Sequence, residues 1–248
     1  MAATKCRVFI DIETTGLDPH VDLILEVGVV VVDDSLRTIA HHAVLIASPE
    51  ALEWAATTLD RWQQFTAGDF NRYAKPAVAQ ADEAGLDMAA AMHLDNGLIW
   101  HLTHPGEFTT APDGLVDLDR TVAASYAEAA ATIGKFLDES GIIEPVPMAG
   151  SSVRSLDGPF LEVHMPLLFS RFTHRTIDAS ALTELVRFID PRGCAAIMAD
   201  IDSPGHRTVE DCLRSIDIVA DFTARYGIGE RSALVEGTGN EHARHQLQ

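Results

Sequence analysis

Residues 6–12 read CRVFIDI and residues 13–16 read ETTG, so an apolar run leads into two carboxylates and a turn. The β-branched and apolar content of the first segment predicts a buried strand. Side chains two apart on a strand share a face, so Asp11 and Glu13 project together while Ile12 faces the opposite layer. Because Mg²⁺ and Mn²⁺ prefer oxygen ligands, this strand end is a candidate metal site. Taken alone, the pair also fits a strand end with two acidic side chains in solvent.

Outward from this strand, the sequence predicts an α/β fold with helices on both faces of a mixed sheet. Further strands are predicted at 23–33, 37–47, 145–149 and 174–178. Helices are predicted at 50–66, 69–92, 117–139, 159–170, 179–188 and 207–226. Proline and glycine predict a loop at 104–115 and an irregular segment from Pro191 to Gly205. We expect residues 1–226 to form a single domain and residues 227–248 a polar, flexible tail.

The chain of 248 residues has a formal net charge of −19, with 18 lysines and arginines against 37 aspartates and glutamates. A protein that coats long nucleic acid relies on a broad basic surface, so this charge argues against such a binder. It leaves open a pocket for a short anionic substrate. The charge can equally reflect solubility alone.

The expected compartment is a reducing cytoplasm. No apolar stretch approaches the ~18–20 residues of a membrane span, and strand-like sequence begins so early that we expect no signal peptide. The cysteines are Cys6, Cys194 and Cys212, which lie far apart without CxxC spacing. This number and spacing disfavour a disulfide framework or a zinc site.

Two later segments carry carboxylates that could join the first pair. Asp157 precedes Gly158 and Pro159, which is also the pattern of a helix N-cap. In the segment from His206 to Asp211, the upstream Pro-Gly pair places the histidine on a loop and the aspartate in the first turns of a helix. A loop histidine suits a general base because its pKa lies near neutrality. The alternative is a capping box at the same helix start.

Taken in order, these segments resemble the DEDDh branch of the 3′→5′ exonucleases, and oligoribonuclease most closely. The first motif runs from Phe9 to Pro19 and continues through Asp22 to Val27. The second has the spacing Asp157-x-x-Phe-Leu-x-x-x-Met-Pro-x-Leu168, and the third is His206-x-x-x-x-Asp211. The resemblance implies an RNase H-like fold with a five-stranded mixed sheet, and it makes residues 50–93 a helical insertion after the third strand.

The resemblance also implies roles for individual residues. Two divalent cations, Mg²⁺ or Mn²⁺, would be held by Asp11, Glu13, Asp157 and Asp211, and His206 would deprotonate the attacking water. The substrate-binding positions that it implies are Leu17, Trp100, His104, Ser152, Arg175 and Ser180. Trp100 also fits a core residue, His104 a loop residue and Arg175 a surface residue. Ser152 and Ser180 also fit helix caps. The resemblance implies a homodimer, whereas His174, which stands where the family carries a tyrosine that reaches the partner subunit's site, argues against one.

These inferences predict a metal-dependent exonuclease that releases nucleoside 5′-monophosphates from the 3′ end of short, single-stranded RNA. A DNA-directed or longer-RNA exonuclease of the same superfamily is the first alternative. The second alternative is a non-catalytic RNase H-like scaffold that holds a partner through the insertion. No membrane partner is expected.

Overall fold

A computed structural model describes residues 7–66, 78–108 and 119–228. The strands are β1 Arg7–Thr14, β2 Ile24–Val32, β3 Thr38–Ile46, β4 Asp119–Ala123, β5 Val146–Gly150 and β6 Phe172–Asp178. The first six helices are α1 Pro49–Phe65, α2 Val78–Glu83, α3 Met88–Asp95, α4 Leu98–Thr103, α5 Pro105–Phe108 and α6 Tyr126–Glu139. The others are α7 Asp157–His164, α8 Pro166–Phe169, α9 Ala179–Ile189, α10 Pro191–Met198 and α11 Thr208–Arg225.

The strands form one mixed sheet in the order β4-β3-β2-β1-β5-β6. The first three strands pair antiparallel as a meander, and β4, β5 and β6 join in parallel. All nine residues of β2 are buried, because helices cover both faces of the sheet. One apolar layer joins Phe9 to α1, α4, α9 and α11, and the other joins Ile10 to α6, α7 and α8. The predicted α/β class is therefore confirmed.

The sheet has six described strands rather than the predicted five. The additional strand is β4, which lies within the helix predicted at 117–139 and pairs with β3 from His42↔Asp119 to Ile46↔Ala123. The helix begins only at Tyr126, because Ser125 caps it by accepting a hydrogen bond from the Glu128 N–H at 3.2 Å. Residues 117 and 118 lie outside the described part of the chain.

Other predicted boundaries differ where proline, glycine or a cap interrupts a helix. In the predicted helix 69–92, residues 69–77 are not described, and the rest divides at Gly85, where φ is 69°, before Asp87 caps α3. The predicted helix 159–170 divides into α7 and α8 because Pro166 has no N–H to donate. The segment predicted as irregular contains α10, which Asp190 caps.

The predicted loop at 104–115 contains the short helix α5, and its residues 109–115 are not described. Most of the predicted tail, residues 229–248, also lies outside the described residues. Among the described helices, none has both the length and the apolar composition that a bilayer span requires.

Candidate metal centre

The site begins at the end of the central strand β1. Glu13 is 5% exposed, and Asp11 is partly buried on the same face. Ile12 packs into the opposite apolar layer, as the alternation along a strand predicts. The pairing of β1 with β2 is irregular between Glu13 and Thr14, so the regular ladder ends at the second carboxylate. Both acidic side chains are thereby held on a rigid element beside a turn.

Helix α11 brings a third carboxylate to this strand end because Gly28 leaves room for its first turn. Gly28 is the cross-strand partner of Asp11. A Cβ atom there would lie 2.3 Å from Thr208 Oγ1 and 2.9 Å from the Thr208 carbonyl carbon. This close approach places Asp211 beside β1, and one ligand oxygen each of Asp11, Glu13 and Asp211 lies within 4.8 Å of the others. The structure therefore brings together three of the four predicted metal ligands.

Asp157 lies outside that group of three but next to it. It is the first residue of α7 and is 3% exposed. Its Oδ1 accepts a hydrogen bond from the backbone N–H of Ile12 at 3.0 Å, which ties the helix start to β1. Asp157 therefore points toward the strand end rather than acting as the N-cap, a position that Leu156 occupies.

The four carboxylates share a buried environment that disfavours negative charge. Burial raises the pKa of Asp11 well above its usual range, and the charges of Asp157 and Glu13 raise it further. Burial likewise raises the pKa of Glu13 and Asp211, and brings that of Asp157 to about 7. An all-oxygen donor set under this repulsion fits hard divalent cations, which would neutralise it.

His206 lies on the loop that enters α11, as the sequence predicts. Its side chain is exposed, its φ is 53°, and its carbonyl accepts a hydrogen bond from the Asn96 side chain. The capping-box alternative is not formed, since Arg207 is the N-cap and makes no side-chain cap bond. The Asp211 carboxylate instead accepts from the backbone N–H of Gly205 at 3.1 Å.

A buried ion pair beside the site escaped the sequence analysis. Glu26, the cross-strand partner of Glu13, accepts from Arg207 Nε at 2.9 Å and from Arg207 Nη2 at 3.1 Å. Both residues are at most 8% exposed. The one local signal was a glutamate inside the apolar run of β2, where an unpaired charge is unfavourable.

His93 is a third residue that the sequence analysis missed. It is fully buried on α3, its Nε2 lies 2.9 Å from the Thr14 carbonyl, and its Nδ1 lies 3.9 Å from Glu13 Oε2. Burial lowers its pKa to about 4, so the ring is neutral near pH 7 and Nε2 donates to the carbonyl. A lone histidine in an alanine-rich helix gave no sequence signal for this contact.

Of the predicted substrate-binding residues in the first half of the chain, two contact each other and the third, Leu17, is exposed on a turn. Leu17 is 78% exposed on the turn after β1, and the Asp22 side chain braces this turn by accepting from the Asp18 N–H at 2.8 Å. Trp100 and His104 stack with their ring centroids 3.8 Å apart. Trp100 Nε1 also donates to Glu107 Oε2 at 2.9 Å. The structure therefore joins the predicted tryptophan and histidine into one aromatic pair.

Two of the other predicted positions lie together at the ends of β5 and β6. Ser152 Oγ donates to Ser180 Oγ at 3.1 Å, and the Asp178 carboxylate accepts from the backbone N–H groups of both serines. Asp178 is thus the N-cap of α9. Arg175 is exposed on the edge strand β6, and no hydrogen bond among the described residues joins it to the serine pair.

Several known proteins are similar to this chain in sequence or in structure. Residues 8–67 match the family described as Exonuclease. Oligoribonuclease from Shewanella loihica is 30% identical over 218 residues, which cover 87% of this chain and 93% of that protein. Oligoribonuclease from Thiobacillus denitrificans is 27% identical over 211 residues, which cover 85% of this chain and 88% of that protein.

Among solved structures, exonuclease I from Methylocaldum szegediense matches with a TM-score of 0.48 at 12% identity. The match covers 93% of this chain and 43% of the other, so this chain spans less than half the length of that enzyme.

Proposed function

Because this chain belongs to the oligoribonuclease family of 3′→5′ exonucleases, we propose that it removes nucleoside 5′-monophosphates from the 3′ end of short, single-stranded RNA. The observation that carries the proposal is the convergence of the Asp11, Glu13 and Asp211 oxygens within 4.8 Å. These carboxylates come from a central strand and a distant helix, and a merely structural domain would gain nothing from assembling them.

The enzyme is a hydrolase that depends on divalent metal, and we propose that Asp11, Glu13, Asp157 and Asp211 hold two Mg²⁺ or Mn²⁺ ions. When bound, such ions activate the attacking water and stabilise the leaving 3′ oxygen. The carboxylates fix the ions on rigid elements, since Asp11 and Glu13 stand on β1 and Asp211 on α11. Glu13 and Asp157 are buried, so their charges would act on a bound ion in a medium less polar than water.

His206 is the proposed general base, and the structure supports this role through its position. It precedes Asp211 by five residues on the loop that enters α11, and its side chain is exposed to solvent. The hydrogen bond from Asn96 to its carbonyl holds the backbone of this loop. An imidazole so placed takes the proton of the attacking water and passes it to solvent.

The proposal also assigns substrate contacts to residues outside this centre. Leu17 offers an exposed apolar side chain to the terminal bases, and the stacked Trp100–His104 pair offers an aromatic face or a 5′-phosphate contact. Ser152, Ser180 and Arg175 would bind phosphate through hydroxyl and guanidinium donors. A few such contacts suit a short oligomer, because a chain with a net charge of −19 does not provide a long basic track.

The deciding experiment is a gel time course with 5′-labelled RNA of about two, five and twenty-four nucleotides, with matching DNA, in Mn²⁺ or in EDTA. We expect metal-dependent loss of the shortest RNA first. Asp211→Asn serves as the inactive control for contaminating nucleases. Preference for the long RNA or for DNA would refute the short-RNA specificity, and no cleavage of any substrate would refute the activity.

Two further attributes are part of the proposal. We place the enzyme in the cytoplasm, which the buried free thiols of Cys194 and Cys212 support.

A homodimer is supported by the exposed apolar side chains Leu185, Phe188 and Ile189 on α9, which follows the edge strand β6. Light scattering after gel filtration should give twice the mass of 26.8 kDa, and Phe188→Glu should shift it toward the monomer.

A further inference from the structure

The Glu26–Arg207 ion pair connects the two parts of the candidate site, which are the strands that carry Glu13 and Glu26 and the start of α11 that carries Asp211. It joins residues 181 apart in sequence, one on β2 and the other at the start of α11. Two parallel N–H···O bonds fix the guanidinium in one plane against the carboxylate, which is a more specific geometry than a single contact. The pair therefore sets both a distance and an orientation.

On the β2 side, the pair lies against the metal-binding strand. Glu26 and Glu13 are cross-strand partners, so their side chains share a face at close range. Two carboxylates in such positions repel each other, and burial strengthens the repulsion. The guanidinium of Arg207 neutralises Glu26 and allows Glu13 to keep its place beside it.

On the α11 side, the pair fixes the residues that complete the site. Arg207 follows His206 directly, and its carbonyl accepts a hydrogen bond from the Asp211 N–H at 2.9 Å. As the N-cap residue it makes no side-chain bond to its own helix, because its side chain crosses to β2. A displacement of Arg207 would consequently move the proposed general base and a metal ligand together.

The energetics argue that stability is not the reason for the pair. A buried ion pair gains little over a well-packed apolar pair of similar volume, since desolvation offsets the attraction. Arginine is also required for the two-bond geometry, because the lysine ammonium has no planar fork. The pair is buried, it is joined by two hydrogen bonds, and it lies next to Glu13. These three features fit a role in aligning α11 with the sheet.

We propose that Glu26 and Arg207 are positioning residues, which hold His206 and Asp211 in register with Glu13 without touching the substrate. This inference rests on the proposed function, since it assigns these three residues to the metal centre and the general base. It adds to that function a positioning role for the two hydrogen bonds between the Arg207 guanidinium and the Glu26 carboxylate.

The test compares the neutral pair E26Q/R207M and the single variant R207K with the wild type. We expect the double variant to melt within about 5 °C of the wild type, because it leaves no buried charge unpaired. Its kcat should fall about 10- to 100-fold with little change in KM, and its Mn²⁺ affinity about 10-fold by calorimetry in the absence of RNA. R207K should lower kcat about 10-fold, since it keeps the charge but not the fork.

The matched control is R171M, which removes an arginine paired with Asp138 away from the site. It should leave kcat and Mn²⁺ affinity within about twofold of the wild type. The proposal is overturned if the variants of the pair keep the wild-type kcat and Mn²⁺ affinity, whatever their melting temperature. If E26Q/R207M does not fold, R207K decides by the same readouts. If the wild type cleaves no RNA, the proposed function fails, and Mn²⁺ affinity still decides the positioning role.

Discussion

At the scale of single residues, the buried carboxyl of Asp11 lowers the stability of the metal-free fold. Burial and the neighbouring carboxylates raise its pKa well above the usual range. A carboxyl with a raised folded-state pKa binds its proton more tightly when folded, so the folded state loses stability as the pH rises past the unfolded-state pKa. At neutral pH without metal, the burial of Asp11 among the other carboxylates therefore destabilises the fold.

Asp11→Asn should separate stability from activity. Asparagine keeps the side-chain shape and cannot ionise, so the variant should melt a few °C above the wild type in EDTA at pH 8. It should also lose RNA cleavage on the order of 1,000-fold, or about 4 kcal/mol, because it removes a proposed metal ligand. Differential scanning calorimetry and the gel assay measure the two effects. If Asp11→Asn melted below the wild type in EDTA, repulsion among the carboxylates would not be what destabilises the metal-free fold.

His206 supports a second residue-scale prediction. Its φ of 53° favours glycine, asparagine or aspartate, so His206→Asn keeps the loop conformation and removes the imidazole. We expect cleavage to fall by roughly 100- to 10,000-fold while Mn²⁺ affinity changes less than about threefold. Calorimetry and single-turnover kinetics across pH 6–9 check both numbers. Cleavage at the wild-type rate over that range would exclude His206 as the general base.

At the scale of secondary-structure elements, the site depends on how closely α11 approaches β2. Gly28 permits this contact, because any Cβ atom there would overlap Thr208. Gly28→Ala should push the start of α11 away, lower the free energy of unfolding by about 1–3 kcal/mol and reduce activity by separating Asp211 from Asp11. Urea denaturation and the gel assay measure the two effects.

Gly134→Ala is the matched control for that prediction. Gly134 lies inside α6, and the nearest atom to a Cβ there is Arg171 Nη1 at 4.0 Å. Alanine should therefore raise the free energy of unfolding by about 0.5–1 kcal/mol through helix propensity alone, with unchanged activity. If Gly28→Ala behaved like Gly134→Ala, the close contact between β2 and α11 would not position the site.

At the scale of the whole molecule, metal binding and folding should be linked. The carboxylates of the site come from β1, α7 and α11, so a bound ion connects elements that separate on unfolding. At a Mn²⁺ concentration of about 100 times Kd, the folded state should gain about 2.7 kcal/mol. Melting curves of the wild type should shift upward with Mn²⁺, whereas an Asp11→Asn/Asp211→Asn variant should show no shift. An equal shift in both proteins would place the ion elsewhere.

Local sequence patterns were enough to predict the central strands and the acidic residues that converge in the candidate site. Alternating and continuous apolar patterns are local properties, so they predicted β1, β2, β3 and the common face of Asp11 and Glu13 correctly. The glycine and proline before His206 also located the start of α11 to within one residue. The order of the acidic motifs then indicated the family without any tertiary information.

Tertiary contacts settled what depends on the meeting of distant segments. Strand β4 forms because β3 offers it a parallel partner, and this pairing overrides a helical pattern in the sequence. The Glu26–Arg207 pair and the His93 contact with Thr14 join residues 181 and 79 apart, and no local pattern specifies such a pairing. Residue types predicted the acidic chemistry of the candidate site, whereas packing of α11 and α3 against the sheet decided where its carboxylates lie.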